Sequence, residues 1–196
     1  DPMESAANVE ARYLQILADL GSAVSIPVAV KLSPQFSSPL HFAGELQRAG
    51  AAALVLFNRF YQSDINLDTL QVEPALQLSA PYEALLRVRW AAMVRGALDI
   101  DLAVTGGFHR CEDIVKALLA GASVVQLCSV LLQHGPARLG ELLIQLEQWL
   151  DAHEYQSVQQ MQGSLSYRNA ANPAAWEREN YLSVLGSFAP PAGVRY

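Results

Sequence analysis

The chain has 196 residues, enough for one substantial core, and at 52% hydrophobic and 16% charged it reads as globular and not disordered. A net charge of -6 and a pI near 5.1, with no Lys/Arg cluster, argue against a nucleic-acid surface. No apolar run reaches the roughly 18 residues of a membrane span, and the first residues lack the charged-then-apolar order of a signal peptide.

Residues 4–20 read as a helix, because Val9, Tyr13, Ile16, Leu17 and Leu20 recur at helical spacing and Gly21 supplies a stop. Residues 26–32 are an apolar strand with one charge, Lys31, near its C-terminal end, closed by Ser33-Pro34. A helix over 40–49 ends at Gly50, and a second apolar strand over 52–57 runs into Asn58-Arg59. Residues 60–80 are less regular; 64–68 and 70–73 alternate like an exposed hairpin. A helix over 82–95 leads to a strand over 100–105, which stops at Thr105-Gly106-Gly107. A helix over 111–119 follows, with Glu112 and Asp113 in the turn where the macrodipole favours acids. A strand over 123–127 is broken by Cys128-Ser129 before another helical turn, and a long helix covers 136–151. The last 40 or so residues suggest helices near 157–161 and over 174–185, then a frayed tail from Pro190-Pro191 that carries no recognisable chemistry and caps the fold or meets another subunit.

The unit strand–loop–helix–AGA–strand occurs twice, with strands offset by 74 residues and Ala-Gly-Ala triplets by 71. Continuous apolar strands alternating with amphipathic helices indicate an α/β parallel sheet, and a doubled βαβ unit is what a (β/α) barrel shows. Only four strand signals are present, against eight in a closed barrel of roughly 250 residues.

Chemistry is concentrated at the strand ends. Gly106 and Gly107, with Cys128-Ser129 at the next strand, offer small residues and free amides that could cradle a phosphate. A strand–TGG–helix is also an ordinary tight connection, and the residues alone leave both readings open. Lys31 could stabilise an anion developing on a bound ring or be a solvated strand-end lysine. Asn58 offers a donor and an acceptor to a planar heterocycle or merely starts a loop; Arg59 could grip a carboxylate or project into solvent. His41 and His109 read as surface or helix-start residues and His134 as a helix-end residue. Cys128 reads as a small residue at the core rim. Cys111 and Cys128 have neither CxxC spacing nor a nearby His pair, so no zinc site or disulfide is suggested and a reducing cytosol fits.

Taken together, IPVAVKLSP, LVLFNR, VTGGFHRCEDIVKALLAGASVVQLCSVLLQHGP and EYQSVQQMQGSL, in this order, resemble the C-terminal half of the dihydroorotate dehydrogenase family. The resemblance spans about residues 5–165 and implies the last four strands of a flavin-binding (β/α)8 TIM barrel, with residues 166–196 as a helical extension and tail. It implies FMN as cofactor, an oxidoreductase passing hydride from a dihydropyrimidine or related ring to flavin, a small-molecule substrate, the upstream half of the same barrel as partner, a homodimer, and a cytoplasmic location. Lys31 matches the lysine at the isoalloxazine, Phe57 a strand end whose backbone touches the flavin, and Gly106, Gly107, Cys128 and Ser129 the phosphate site. Asn58 matches a substrate-binding asparagine, and Arg59 stands beside it where the family has a small hydroxyl residue. Cys128 replaces a glycine, Ser79-Ala80 is the nearest counterpart of a Gly-rich flavin loop, and the family's catalytic Cys or Ser is expected upstream of Asp1. Those departures keep a second expectation in play, a non-catalytic flavin- or phosphate-binding half-barrel module, and a third, a flavin-free phosphosugar barrel.

Overall fold

The computed structural model describes residues 3–60, 62–177, 181–187 and 189. Four parallel strands, β1 (Ala29–Leu32), β2 (Ala53–Leu56), β5 (Asp101–Thr105) and β6 (Val124–Gln126), form one sheet in the order β1-β2-β5-β6. The strands enter the sheet in chain order, the arrangement of successive (β/α) barrel units, and a separate antiparallel hairpin, β3 (Ser63–Asn66) with β4 (Gln71–Pro74), is inserted after β2. Register is continuous across the sheet: Lys31 lies opposite Val55, Val55 opposite Ala103, and Ala103 opposite Val124.

Side chains alternate across this sheet. Leu32, Leu54, Leu56, Leu102 and Val104 point to the helical side and are fully buried in the main core. That core is closed by α2 (Pro39–Arg48), α3 (Ala84–Ala97) and α4 (Cys111–Ala120), through Phe42, Leu46, Val88, Ala91 and Ala117. On the other face Ala29, Lys31, Val124 and Gln126 are exposed and Val55, Ala103 and Thr105 half-buried. The strands that read as buried throughout are therefore fully buried on the helical face and only partly covered on the other.

α1 (Ala6–Ala23) starts at Ser5, whose Oγ accepts the Asn8 N–H at 3.2 Å, and runs through Gly21 instead of stopping there. Of its apolar stripe only Leu17 is fully buried; Ile16 and Leu20 remain exposed. Tyr13 joins it to α2 by edge-on contacts with Phe36 and Phe42, at ring-centroid distances of 5.5 and 5.8 Å.

After α5 (Ser129–His134), α6 (Arg138–Ala152) and α7 (Val158–Met161), the chain crosses the C-terminal ends of α3 and α4. There its donors meet carbonyls near the helix ends: Gly163 and Leu165 N–H donate to Leu118 and Leu119 O, Tyr167 N–H to Ala92 O, and Arg168 Nε to Gly96 O. Residues on both sides of position 165 take part in this strap, which lies at the end of the fold opposite the strand C-termini. The helix expected over 174–185 is found as a 3₁₀ turn, Pro173–Trp176, and a short α8, Tyr181–Gly186; the Pro190-Pro191 tail lies outside the described residues.

Candidate functional site: a cavity at the strand ends

Each strand of a (β/α) unit delivers its last residues to one end of the sheet, where the following loops meet. Here that end holds a cavity of about 270 Å³, and all eight residues singled out from the sequence line it. Lys31 comes from β1, Phe57, Asn58 and Arg59 from the end of β2, Gly106 and Gly107 from the end of β5, and Cys128 and Ser129 from the end of β6.

Phe57 is buried and follows a cis peptide from Leu56, while the Asn58 N–H donates to Leu32 O at 2.6 Å. That bond carries the β1–β2 pairing two residues beyond Leu56 and leaves the Asn58 side chain exposed at the cavity. Lys31 is exposed on the inner face of the sheet, among the described residues without an ion-pair partner.

The TGG loop is held by close packing. Gly106 and Gly107 have φ of +97° and +91°, and a Cβ on Gly107 would stand 2.3 Å from the Ala84 nitrogen. Glycine is thus required at 107 by backbone conformation and by helix α3 pressing on the loop from behind. Its amide is not free, however: Gly107 N–H donates to Ser79 Oγ at 3.1 Å. Ser79 in turn reaches the β6 end, with its N–H 3.0 Å and its hydroxyl 2.8 Å from Ser129 Oγ. The Ser79-Ala80 step therefore closes the cavity through side-chain hydroxyls where a Gly-rich loop would use bare backbone.

Arg59 does not project into solvent. Its guanidinium donates to Gln77 O and pairs with Glu83 at 3.6 Å, so it ties the loop after β4 to the start of α3. Glu83 Oε1 also accepts the Ala80 N–H at 2.9 Å. Behind it, Arg87 is buried, with Nε donating to Thr105 O at 3.1 Å and Nη1 to Glu83 O at 2.9 Å. Burial lowers the Arg87 pKa from its ordinary value, against the opposing pull of Glu83. Arg59, Gln77, Ala80, Glu83 and Arg87 line a second, larger cavity of about 430 Å³ that shares Asn58, Arg59 and Leu78 with the first. The smaller cavity is the better candidate site, because it alone gathers the ends of all four strands.

Cys128 is exposed at the cavity and not at the core rim, whereas Cys111 is buried and its thiol pKa is pushed up, first by desolvation and then by Glu112. His109 is also not a surface residue: it is buried, with Nε2 3.4 Å from Ser79 Oγ. Sequence alone does not assign His109, Arg87 or Gln126 to the site. Gln126 carried the same signal as Lys31, a lone polar residue in an apolar strand; Glu83 and Arg87 stood four apart on a helix. Nothing local marks His109, since its partner Ser79 lies thirty residues away. Among the described residues no three His, Cys, Asp or Glu side chains converge as metal ligands, and no helix is long and apolar enough to cross a membrane.

Four parallel strands ending on one glycine-flanked cavity are the arrangement of successive units of a (β/α) barrel. The profile of the dihydroorotate dehydrogenase family matches residues 4–150, and the chain belongs to that family. Among curated relatives it is 28% identical over 154 residues to "Dihydroorotate dehydrogenase B (NAD(+)), catalytic subunit" of Methanothermobacter thermautotrophicus, an alignment covering 76% of this chain and 50% of that protein. The protein of the same description from Thermoplasma acidophilum is 29% identical over 149 residues, again 76% and 50% of the two chains. That from Bacillus pumilus is 31% identical over 142 residues, 71% and 46%. The chain spans about half the length of the curated relatives it matches.

Proposed function

We propose that this chain is the C-terminal half of an FMN-dependent, dihydroorotate dehydrogenase-like oxidoreductase acting on a dihydropyrimidine or related ring. The observation that carries the reading is the convergence of Lys31, Phe57, Asn58, Gly106, Gly107 and Ser129 on one cavity at the strand ends. Residues 1–165 belong to the barrel half and 166–196 to an extension. The protein is cytoplasmic and works as a homodimer whose barrels are completed by upstream residues, a reading supported by the uncovered inner face of the sheet.

The residues present suit FMN. The positive-φ glycines hold the loop tight against α3 at the cavity's edge, Ser129 brings a hydroxyl, and Lys31 supplies a positive charge on the open face. When bound, the flavin supplies the hydride chemistry. Lys31 would place its positive charge beside the bound ring, where it would favour negative charge on it. Asn58 orients the substrate ring by one donor and one acceptor. Arg59 acts on substrate indirectly, by holding the 77–83 loop that walls the cavity.

The test is an absorption spectrum of the purified full-length protein, followed by anaerobic reduction with dihydroorotate. Flavin bands and bleaching in the wild type, with reduction slowed about 10²-fold in Lys31→Ala, are expected for loss of one charge-stabilising group. A protein that takes up FMN but is not reduced by dihydroorotate or a related dihydropyrimidine would point to a non-catalytic flavin-binding module. The cysteine at position 128, standing in the cavity in place of glycine, favours that second reading.

A further inference from the structure

A serine hydroxyl has one proton and two lone pairs. Ser79 Oγ accepts the Gly107 N–H at 3.1 Å and stands 2.8 Å from Ser129 Oγ and 3.4 Å from His109 Nε2, so its single proton goes to one of the two. With the proton on the Ser129 side, His109 donates to Ser79 through Nε2–H, and Ser129 Oγ accepts both the Ser79 hydroxyl and the Ser79 N–H at 3.0 Å. The Ser129 proton is then left for the cavity that Ser129 lines, with no acceptor for it among the described residues.

We propose that His109, Ser79 and Ser129 form a one-directional relay that presents the Ser129 hydroxyl as a donor to a phosphate monoester, with His109 as the positioning residue at its base. The proposal rests on the reading of the cavity as an FMN site and deepens it. Both Gly107 N–H and His109 Nε2–H feed the relay, so the loop amide reaches the ligand through two hydroxyls and not directly. Ser79 and His109 are 4% and 9% exposed, which keeps water from competing for these bonds. Were His109 to carry its proton on Nδ1 only, Ser79 would donate to Nε2, Ser129 would donate to Ser79, and a lone pair of Ser129 would face the cavity and repel an anion. The histidine tautomer thus decides whether the cavity end attracts phosphate.

Two measurements test this. Flavin fluorescence titration compares FMN with riboflavin, which lacks the phosphate. The wild type is expected to prefer FMN, and the FMN-to-riboflavin affinity ratio is expected to fall about tenfold in Ser79→Ala and in His109→Leu, while His109→Gln, which keeps an N–H donor, retains most of it. The ratio cancels any general loss of folded protein. An unchanged ratio in both Ser79→Ala and His109→Leu overturns the relay. Separately, ¹⁵N NMR of histidine-labelled protein should show His109 protonated at Nε2, with a resonance that moves on addition of inorganic phosphate in the wild type and not in Ser129→Ala. An unprotonated Nε2 overturns the relay whatever binds. If neither flavin binds but the phosphate response is present, the relay stands and the flavin reading falls.

Discussion

Gly107 shows how tightly single residues are specified here. Its φ of +91° and the 2.3 Å approach to the Ala84 nitrogen leave no place for a methyl group. Gly107→Ala is expected to cost about 1–3 kcal/mol of stability, as overpacking does, and to weaken FMN binding by moving the loop; urea denaturation and flavin titration read the two effects. The two cysteines differ just as sharply. Cys128 is exposed at the cavity and should react with a maleimide within minutes and be protected by FMN, whereas buried Cys111 should remain unlabelled in the native protein. The raised Cys111 pKa also has a consequence for stability. The folded state favours the neutral thiol, so its contribution is complete below the ordinary value of 9.0 and is lost as pH rises through the higher folded value. Cys111→Ala should therefore show a shallower loss of stability than the wild type on going from pH 8.5 to about pH 11, measured by urea midpoints.

At the scale of elements, the sheet is anchored by residues pointing to the helices. Leu102, fully buried on the central strand β5, is expected to cost about 2–5 kcal/mol when cut to alanine, read from urea denaturation. The strap over the helix ends works differently, through carbonyls and not through the cavity. Arg168→Ala removes the bond to Gly96 O at 3.0 Å and should lower stability by about 0.5–1.5 kcal/mol while FMN affinity stays within twofold of the wild type. The strands themselves were legible in the sequence to within a few residues, since each is a short apolar run bounded by polar or glycine punctuation. What could not be read was their one-sidedness: Val55, Ala103 and Val124 look as buried in sequence as Leu54 and Leu102, because hydropathy does not say what covers a face. The same applies to α1, whose Ile16 and Leu20 keep the periodicity of a buried stripe and yet are exposed.

The molecule as a whole is a half-open sheet with β1 and β6 as its outer strands. Two outer strands and the partly exposed Val55, Ala103 and Val124 offer a surface on which a partner can pair. These 196 residues alone are expected to bind a hydrophobic dye and to sediment as oligomers, and Val124→Lys, a charge on the outer strand, to shift them toward monomer.

The sequence by itself determined the α/β strand–helix alternation through its repeated βαβ unit, and its motifs carried the resemblance to the family that completes the set of eight residues lining the cavity. Only the tertiary structure decided what those residues are free to do. Arg59 is spent on Gln77 and Glu83, the Gly107 amide is spent on Ser79, and His109 is drawn into the site from a position that looked like an ordinary helix start. Hydrogen-bond partners thirty or fifty residues apart leave no periodic or local trace in a chain. They exist only once the loops have met over the ends of the strands.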